Sequence, residues 1–359
     1  MPSCWRETSP STRAARTFGR LAAGSIENDS LPTASSFSSS KVSGGSQNGT
    51  ANVSYTESLL LAFAGFQEAR YLLAIPFSCL HVVILVGNSV LIYTVKVEES
   101  IHTPVCCLIA LLFSVNICGT TVTFPQMIRS FLLGASHISL ALCLTQTFFL
   151  CFVLMLECNI LLITALDRYV AICHPLCCVD IVTKRLLVVL SLVGLARSMA
   201  VVSPGVILAS RVRFCQSNII GHFVCEHMAL MKLSCSDTSR NKVVGLVARS
   251  ITVIFDFSVL LGSYSRIIHV ALRITSGQLW RKAFHTCGTH LMVILIIYSC
   301  SLISSLVYCL AKSAGQDVHN FISAVYLFLP WIVNPIIYGM RTKEIRDNVL
   351  KVFWRKMLL

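Results

Sequence analysis

Seven apolar runs, near residues 72–95, 104–128, 138–166, 185–209, 243–272, 284–310 and 318–340, are separated by short polar segments. Each is long enough, at about 20 residues or more, for a helix to cross a hydrocarbon layer about 30 Å thick. No water meets exposed N–H and C=O groups in such a layer, so each run must close its hydrogen bonds within itself. The pattern predicts an all-α membrane protein, a seven-transmembrane helix bundle over residues 59–341. Beyond it, residues 342–356 alternate basic and apolar positions at helical spacing. A short cytoplasmic amphipathic helix is expected within 342–359, lying on an anionic inner leaflet. Residues 1–58 are mostly Ser, Thr, Gly and Arg rich and carry too little large apolar surface to offset the entropy of ordering. They are expected to form a disordered extracellular tail, either an unusually long one or the product of a start-site artefact.

Composition agrees with a membrane home. Of 359 residues, 55% are apolar and 13% charged, with a mean hydropathy of +0.74, and so much apolar surface has no place in water. A net charge of +13 raises the question of nucleic acid. The Lys and Arg residues lie in the segments between runs instead of forming one patch interleaved with aromatics, so no nucleic-acid partner is expected. With the amino terminus outside, 14 basic residues fall in the inner loops and tail and eight in or beside the outer loops, which fits the positive-inside bias. Sequons open at Asn28, Asn48 and Asn52, each of which permits glycosylation on an outer tail. No nucleotide-binding loop, metalloprotease motif or nucleophile elbow occurs, so neither catalysis nor a cofactor is expected.

Several polar residues interrupt the runs, and such residues are expensive in lipid unless they face the bundle interior or water. Gly87-Asn88 and Asn116 lie in the first two runs, Glu157 in the third, Arg197 in the fourth, and Arg249 and Asp256 in the fifth. Arg249 and Asp256 share a helix face but stand about 10.5 Å apart along the axis, too far for a direct bond. Separate roles follow: Asp256 as a structural tie, and Arg249 as a contact for an anionic ligand, an interhelical pair or a snorkelling side chain. The third run ends in Asp167-Arg168-Tyr169, where Asp167 can hold Arg168 by a charge-assisted hydrogen bond and release it if the bundle opens. The loop over 214–238 carries Cys215, Cys225 and Cys235 at even spacing, and with Cys143 they allow three bridge connectivities on an oxidising side. His222, Cys225, Glu226 and His227 also make a zinc or copper ligand set, ranked second because an oxidised Cys225 has no thiolate. Cys287 and His290, three apart, supply only two ligands, and no metal is expected.

Three longer strings and two shorter ones carry a resemblance. They are Asp167-Arg-Tyr-Val-Ala-Ile-Cys-His-Pro-Leu176, Lys282-Ala-Phe-His-Thr-Cys-Gly-Thr-His290 and Pro330-Trp-Ile-Val-Asn-Pro-Ile-Ile-Tyr338, with Gly87-Asn88 and Ser263-Tyr264 between and before them. In this order they resemble the signatures of olfactory receptors, which are rhodopsin-like G-protein-coupled receptors, and most of all the class I, fish-like branch. The resemblance covers about residues 59–356. It implies disulfides Cys143–Cys225 and Cys215–Cys235, glycosylation at Asn48 and Asn52, and a plasma-membrane location. It further implies a small volatile odorant as ligand and a stimulatory, olfactory heterotrimeric G protein as inner partner, with cyclic AMP as the output.

The same resemblance suggests the working residues. Asp167, Arg168 and Tyr169 with Tyr264, Asn334, Pro335 and Tyr338 would form the G-protein switch; Pro335 frees backbone carbonyls, Asn334 supplies a buried amide, and Tyr338 can swing toward Arg168. The pocket would be lined by Leu150, Cys151, Leu154 and Met155 on the third helix, Arg249 and Thr252 on the fifth, and Tyr298, Leu302 and Ser305 on the sixth, Tyr298 forming its floor. Three positions depart from the family. Val105-Cys-Cys107 replaces its usual Met-Tyr-aromatic, and Asn116 stands where rhodopsin-like receptors usually carry Asp, so no sodium site is predicted. Cys309 takes the place of an Arg that clamps a carboxylate in acid-sensing members. A mostly apolar ligand, selected by cavity shape, is therefore expected. The rivals are a receptor of this fold for a non-odour metabolite outside the nose, a receptor weakened by these departures, and a membrane transporter, whose inverted repeat the sequence lacks.

Overall fold

The computed structural model describes residues 56–66, 69–134, 136–175, 177–215, 217–273, 277–310, 315–341 and 345–351. Seven helices are long and apolar enough to cross a membrane. They are α1 (Arg70–Val97), α2 (Pro104–Leu132), α3 (Leu140–Cys173), α5 (Lys184–Ser210), α7 (Ser239–Ala271), α8 (Gly277–Leu310) and α9 (Gln316–Arg341), with two short helices, α4 (Cys178–Ile181) and α6 (His227–Met231), in the connections. The seven runs match the seven helices, yet the ends differ. α3 continues seven residues past the expected 166, through Asp167-Arg168-Tyr169, and α8 starts at Gly277 instead of 284. A helix has no reason to stop where hydrocarbon stops when its next residues still close their hydrogen bonds.

Helix starts are set by side chains. Thr103, Ser139 and Thr183 accept hydrogen bonds from the backbone N–H of Cys106, Leu142 and Leu186, opening α2, α3 and α5. In α2, Pro104 follows the cap at the position where a missing N–H costs nothing. The core runs down the middle of the bundle, and α3 packs against α2, α5, α7 and α8. Close approach depends on Gly119 in α2, because a Cβ there would stand 2.4 Å from the ring of the fully buried Trp331 in α9. Leu111, Val188, Leu192, Leu246, Ile254 and Leu261 instead face outward, as lipid-facing side chains should.

One end of the bundle carries a second, smaller core. There β1 (Glu57–Leu60) lies between β2 (Ser136–Ser139), antiparallel to it, and β3 (Ile219–Ile220), parallel to it. Leu60, Ile138, Phe214, Ile220 and the bridged Cys143 and Cys225 bury one another beside this sheet. A second bridge joins Cys215 to Cys235. The sequence assigned Glu57 and Ser58 to a disordered tail; both instead open the central strand, because partners 79 or more residues away satisfy their backbone. The tail over 1–55, with Asn48 and Asn52, lies outside the described residues. At the opposite end residues 345–351 are helical, with Ile345 buried and Lys351 paired to Glu98 at 2.7 Å.

Leu60 is fully buried in the small core. Leu60→Ala should therefore cost about 2–5 kcal/mol, seen as a lower melting temperature of the detergent-solubilised protein. Leu246→Ala on the lipid face should change stability by no more than about 0.5 kcal/mol.

Candidate functional site

Two charges 59 residues apart in the chain meet inside the bundle. Arg197 of α5 pairs with the Asp256 carboxylate of α7 at 2.5 Å and donates to Asn159 Oδ1 of α3 at 2.6 Å. Tyr298 of α8 donates its hydroxyl to the other Asp256 oxygen at 2.9 Å. Asn159 in turn donates to the Gly194 carbonyl at 3.0 Å and the Ser198 hydroxyl at 2.8 Å, both on α5. With only 1% of its side chain exposed, Asp256 could not hold a charge without this ring of donors. The guanidinium also sits 4.7 Å above the Phe255 ring. Asp256 is thus the tie the sequence suggested, while its partner Arg197 and the anchor Asn159 were not foreseen. The available signal was the rarity of charge in the apolar runs, which makes any two opposite charges there candidate partners.

A second polar layer crosses α1, α2, α3 and α9. Asn116 donates to Asn88 Oδ1 at 2.9 Å, and Asn88 donates to the Trp331 carbonyl at 3.1 Å. Asn334 donates to Glu157 at 3.1 Å. The acidic group of this layer therefore comes from α3 and not from α2. Toward the end opposite the disulfides, Asp167 and Arg168 form an ion pair at 3.1 Å, and Tyr264 of α7 hydrogen-bonds His290 of α8 at 2.8 Å. Tyr338 is buried against Phe113, and Tyr169 packs its ring on His174. Arg168 lies within electrostatic reach of Tyr264, His290 and Tyr338, whereas Asn334 belongs to the polar layer with Glu157 and Tyr169 turns to His174.

The expected pocket residues are less evenly placed. On α3, Leu150 is buried and Cys151, Leu154 and Met155 are half-buried. On α7, Thr252 is half-buried and Arg249 exposed. On α8, Tyr298 reaches Asp256, so its hydroxyl is already engaged. Leu302 is 60% exposed and points out of the bundle, so it is corrected out of the lining. Helical spacing placed it one turn above Tyr298, but the rotation of α8 in the bundle decides which face looks inward. The Ser305 side chain and those of Cys309 and Lys312 lie outside the described residues.

Above this region the disulfide loop is fastened to α3. Cys225 is bridged to Cys143, its N–H donates to Gln146 at 3.0 Å, and its carbonyl accepts from Thr147 at 2.8 Å. With its sulfur in a disulfide, Cys225 is withdrawn from any metal set, and among the described residues no three His, Cys, Asp or Glu side chains are grouped to hold an ion.

The family model for olfactory receptors matches residues 77–356. The chain belongs to the olfactory receptor family. Human olfactory receptor 52P1 is 36% identical over 294 residues, covering 82% of this chain and 92% of that relative. Mouse olfactory receptor 51E2 is 35% identical, over 84% of this chain and 94% of its own length. The crystal structure of squid rhodopsin shares the fold with a TM-score of 0.64, covering 80% of this chain and 86% of that one at 14% identity. The protein is accordingly a multi-pass membrane receptor of the seven-helix kind and not an enzyme.

In this receptor Arg197→Leu should leave Asp256 buried and unpaired and cost about 3–5 kcal/mol of stability. Arg197→Leu combined with Asp256→Leu should recover much of that loss, a coupling read from a double-mutant cycle of thermal unfolding in detergent. Equal and additive losses would show that the two side chains do not act as a pair.

Proposed function

We propose that the receptor binds a small, mostly apolar odorant in the half of the bundle nearest the disulfides and passes the event to a stimulatory, olfactory heterotrimeric G protein, raising cyclic AMP. It does so at the plasma membrane, with the amino terminus and the disulfides outside, the carboxyl terminus inside, and Asn48 and Asn52 glycosylated. The lining comes from Leu150, Cys151, Leu154 and Met155 on α3, Arg249 and Thr252 on α7, and Ser305 above Tyr298 on α8.

The observation that carries this reading is the position of Tyr298. It holds Asp256, and through Asp256 it is joined to Arg197 and Asn159 on α5 and α3, which supports its serving as the floor of the proposed pocket. A ligand that presses on Tyr298 changes a contact between α7 and α8, and lower on the same two helices the Tyr264–His290 bond is the next contact to change. Arg168, beside that bond, is then freed from Asp167 to receive the G protein, with Tyr338 moving into the space and Asn334 and Pro335 permitting the bend of α9. Thermodynamically the ligand shifts a population from closed to open by its differential affinity for the two states.

Cells expressing the receptor with the olfactory G protein should raise cyclic AMP in response to some members of a panel of volatiles. Arg168→Ala, matched for surface level, should abolish the rise. A ligand-dependent rise that survives Arg168→Ala, or silence from a receptor proved to be at the surface, would overturn the proposal.

A further inference from the structure

α2 and α5 each pack against α3, and between them they leave a furrow of about 260 Å³ on the lipid side of the bundle. Leu108 and Leu111 of α2 and Leu187, Val188 and Leu192 of α5 line it, with Cys107 and Ser191 as its two weakly polar members. Cys107 and Leu187 are each the fourth residue of their helix, and both helices begin at the end where α3 finishes beyond Arg168. Val188 and Leu192 are each 58% exposed, so no other described part of the chain covers the furrow. Its depth owes something to one of the departures noted in the sequence. A thiol at Cys107 leaves room that an aromatic ring at that position would fill.

In a bilayer such a furrow is never empty, because lipid is the solvent. What the protein can select is the head group, and the charges at the mouth decide that selection. Lys184, in the first turn of α5, lies three or four residues before Leu187 and Val188 and seven or eight before Ser191 and Leu192. Helical spacing therefore sets it in the middle of the lined face, with Arg185 flanking it beside Leu192. Both side chains are exposed. Among the described residues the ion pairs at this end are Asp167–Arg168, Glu98–Lys351 and Arg346–Asp347, and Asp180, the acidic residue nearest in the chain, pairs with neither cation. Two cations without a carboxylate thus stand where an apolar furrow meets the head groups. Their methylene stems can follow the helix while the charged ends reach the phosphate layer.

We propose that this furrow binds an anionic phospholipid, such as phosphatidylserine, with one acyl chain between α2 and α5 and the head group held by Lys184 and Arg185. The site goes beyond the odorant reading and shares with it only the orientation, which sets the furrow in the inner leaflet, where anionic lipids are concentrated. A phosphatidylcholine chain fits the same walls, but its head group brings an ammonium beside the two cations. A sterol brings them no charge. A second copy docked through the same face would set Lys184 and Arg185 against their own counterparts. The anionic lipid alone answers both the apolar walls and the charge at the mouth, with a preference of about fivefold for each cation.

The test is photo-crosslinking of the full chain in phosphatidylcholine nanodiscs. They carry, at equal mole fraction, phosphatidylserine or phosphatidylcholine with a diazirine on the acyl chain, and labelled peptides are mapped by mass spectrometry. Both leaflets of a nanodisc hold the same lipid, so the result does not depend on which end of the receptor faces the cytoplasm. The serine lipid should label residues 107–111 and 187–192 at least about fivefold more than the choline lipid does. Around Leu246 and Leu261, on the lipid face of α7, the two should label alike. Lys184→Gln combined with Arg185→Gln should make the two lipids equal in the furrow, and Cys107→Phe should lower labelling there by both. All three substitutions fall on exposed side chains, and an unchanged melting temperature shows that each variant is folded. Equal labelling of the unaltered receptor, a serine preference that survives the double substitution, or labelling indifferent to Cys107→Phe would overturn the proposal. None of these outcomes touches the odorant reading, which cyclic AMP decides.

Discussion

A carboxylate inside a helix bundle must be neutralised where it stands, and Asp256 imposes that condition on the helices around it. Arg197 has to come from α5 at one height, Tyr298 from α8 at another, and Asn159 from α3 to accept a second guanidinium N–H. Such a cluster adds little net stability over a well-packed apolar core, since dehydration consumes most of the Coulomb gain. What it supplies is register: sliding any one helix by a turn breaks several charge-assisted bonds together. The core around it is apolar and tolerant, so the polar ring does most of the specifying.

That ring also sets which helix is free to move. α8 packs chiefly on α9 and meets α3 and α7 sparsely. Among the described residues its polar ties to α7 include Tyr298 to Asp256 above and Tyr264 to His290 below. A helix held by few contacts on one side can swing on those contacts without opening the main core. α1, α2, α3 and α9 are joined differently, through Asn88, Asn116, Glu157 and Asn334 and through the insertion of Trp331 against Gly119. This half is the more firmly joined, and on the proposed mechanism α8 is the helix that moves against it.

The helices were legible because their cause is local. Each apolar run, read alone, must be a helix in hydrocarbon, and the family strings fixed the order. Helix ends were less legible: α3 ran on through Arg168 and α8 began early, because polar residues at a membrane boundary still favour the helix they continue. What the sequence hid is non-local. Nothing within Glu57–Leu60 announces that it is the centre of a sheet, because the strands that pair with it come from two distant loops. Arg197 and Asp256 were each visible as buried charges, yet helical rise settled only that Arg249 and Asp256 do not bond, and nothing local pointed to the partner on the adjacent helix. Leu302 failed for a related reason, since the inward face of a helix apolar on all sides is set by its neighbours. The proposed pocket was accordingly the least legible part, because it draws on three helices whose rotations the sequence does not state.

The two ends of the bundle differ in how firmly they are closed, which bears on how the proposed apolar ligand would work the receptor. At the disulfide end two bridges, a three-stranded sheet and the Cys225 contacts fasten the loops to α3. A single such bridge removes about 2–4 kcal/mol of freedom from the open chain, so this end has no low-energy way to part. At the other end the Tyr264–His290 hydrogen bond between α7 and α8 contributes only about 1 kcal/mol, and the Asp167–Arg168 pair joins neighbours of one helix and holds no two helices together. A ligand that fills an apolar cavity and makes one hydrogen bond has only a few kcal/mol of differential affinity to spend. Moving a population from 1:99 to 99:1 takes about 5.5 kcal/mol, so such a ligand suffices only if the resting gap is small and the yielding end is lightly held. On the proposed mechanism, a disulfide end that cannot part leaves a push on Tyr298 to be relieved at the opposite end, toward Arg168.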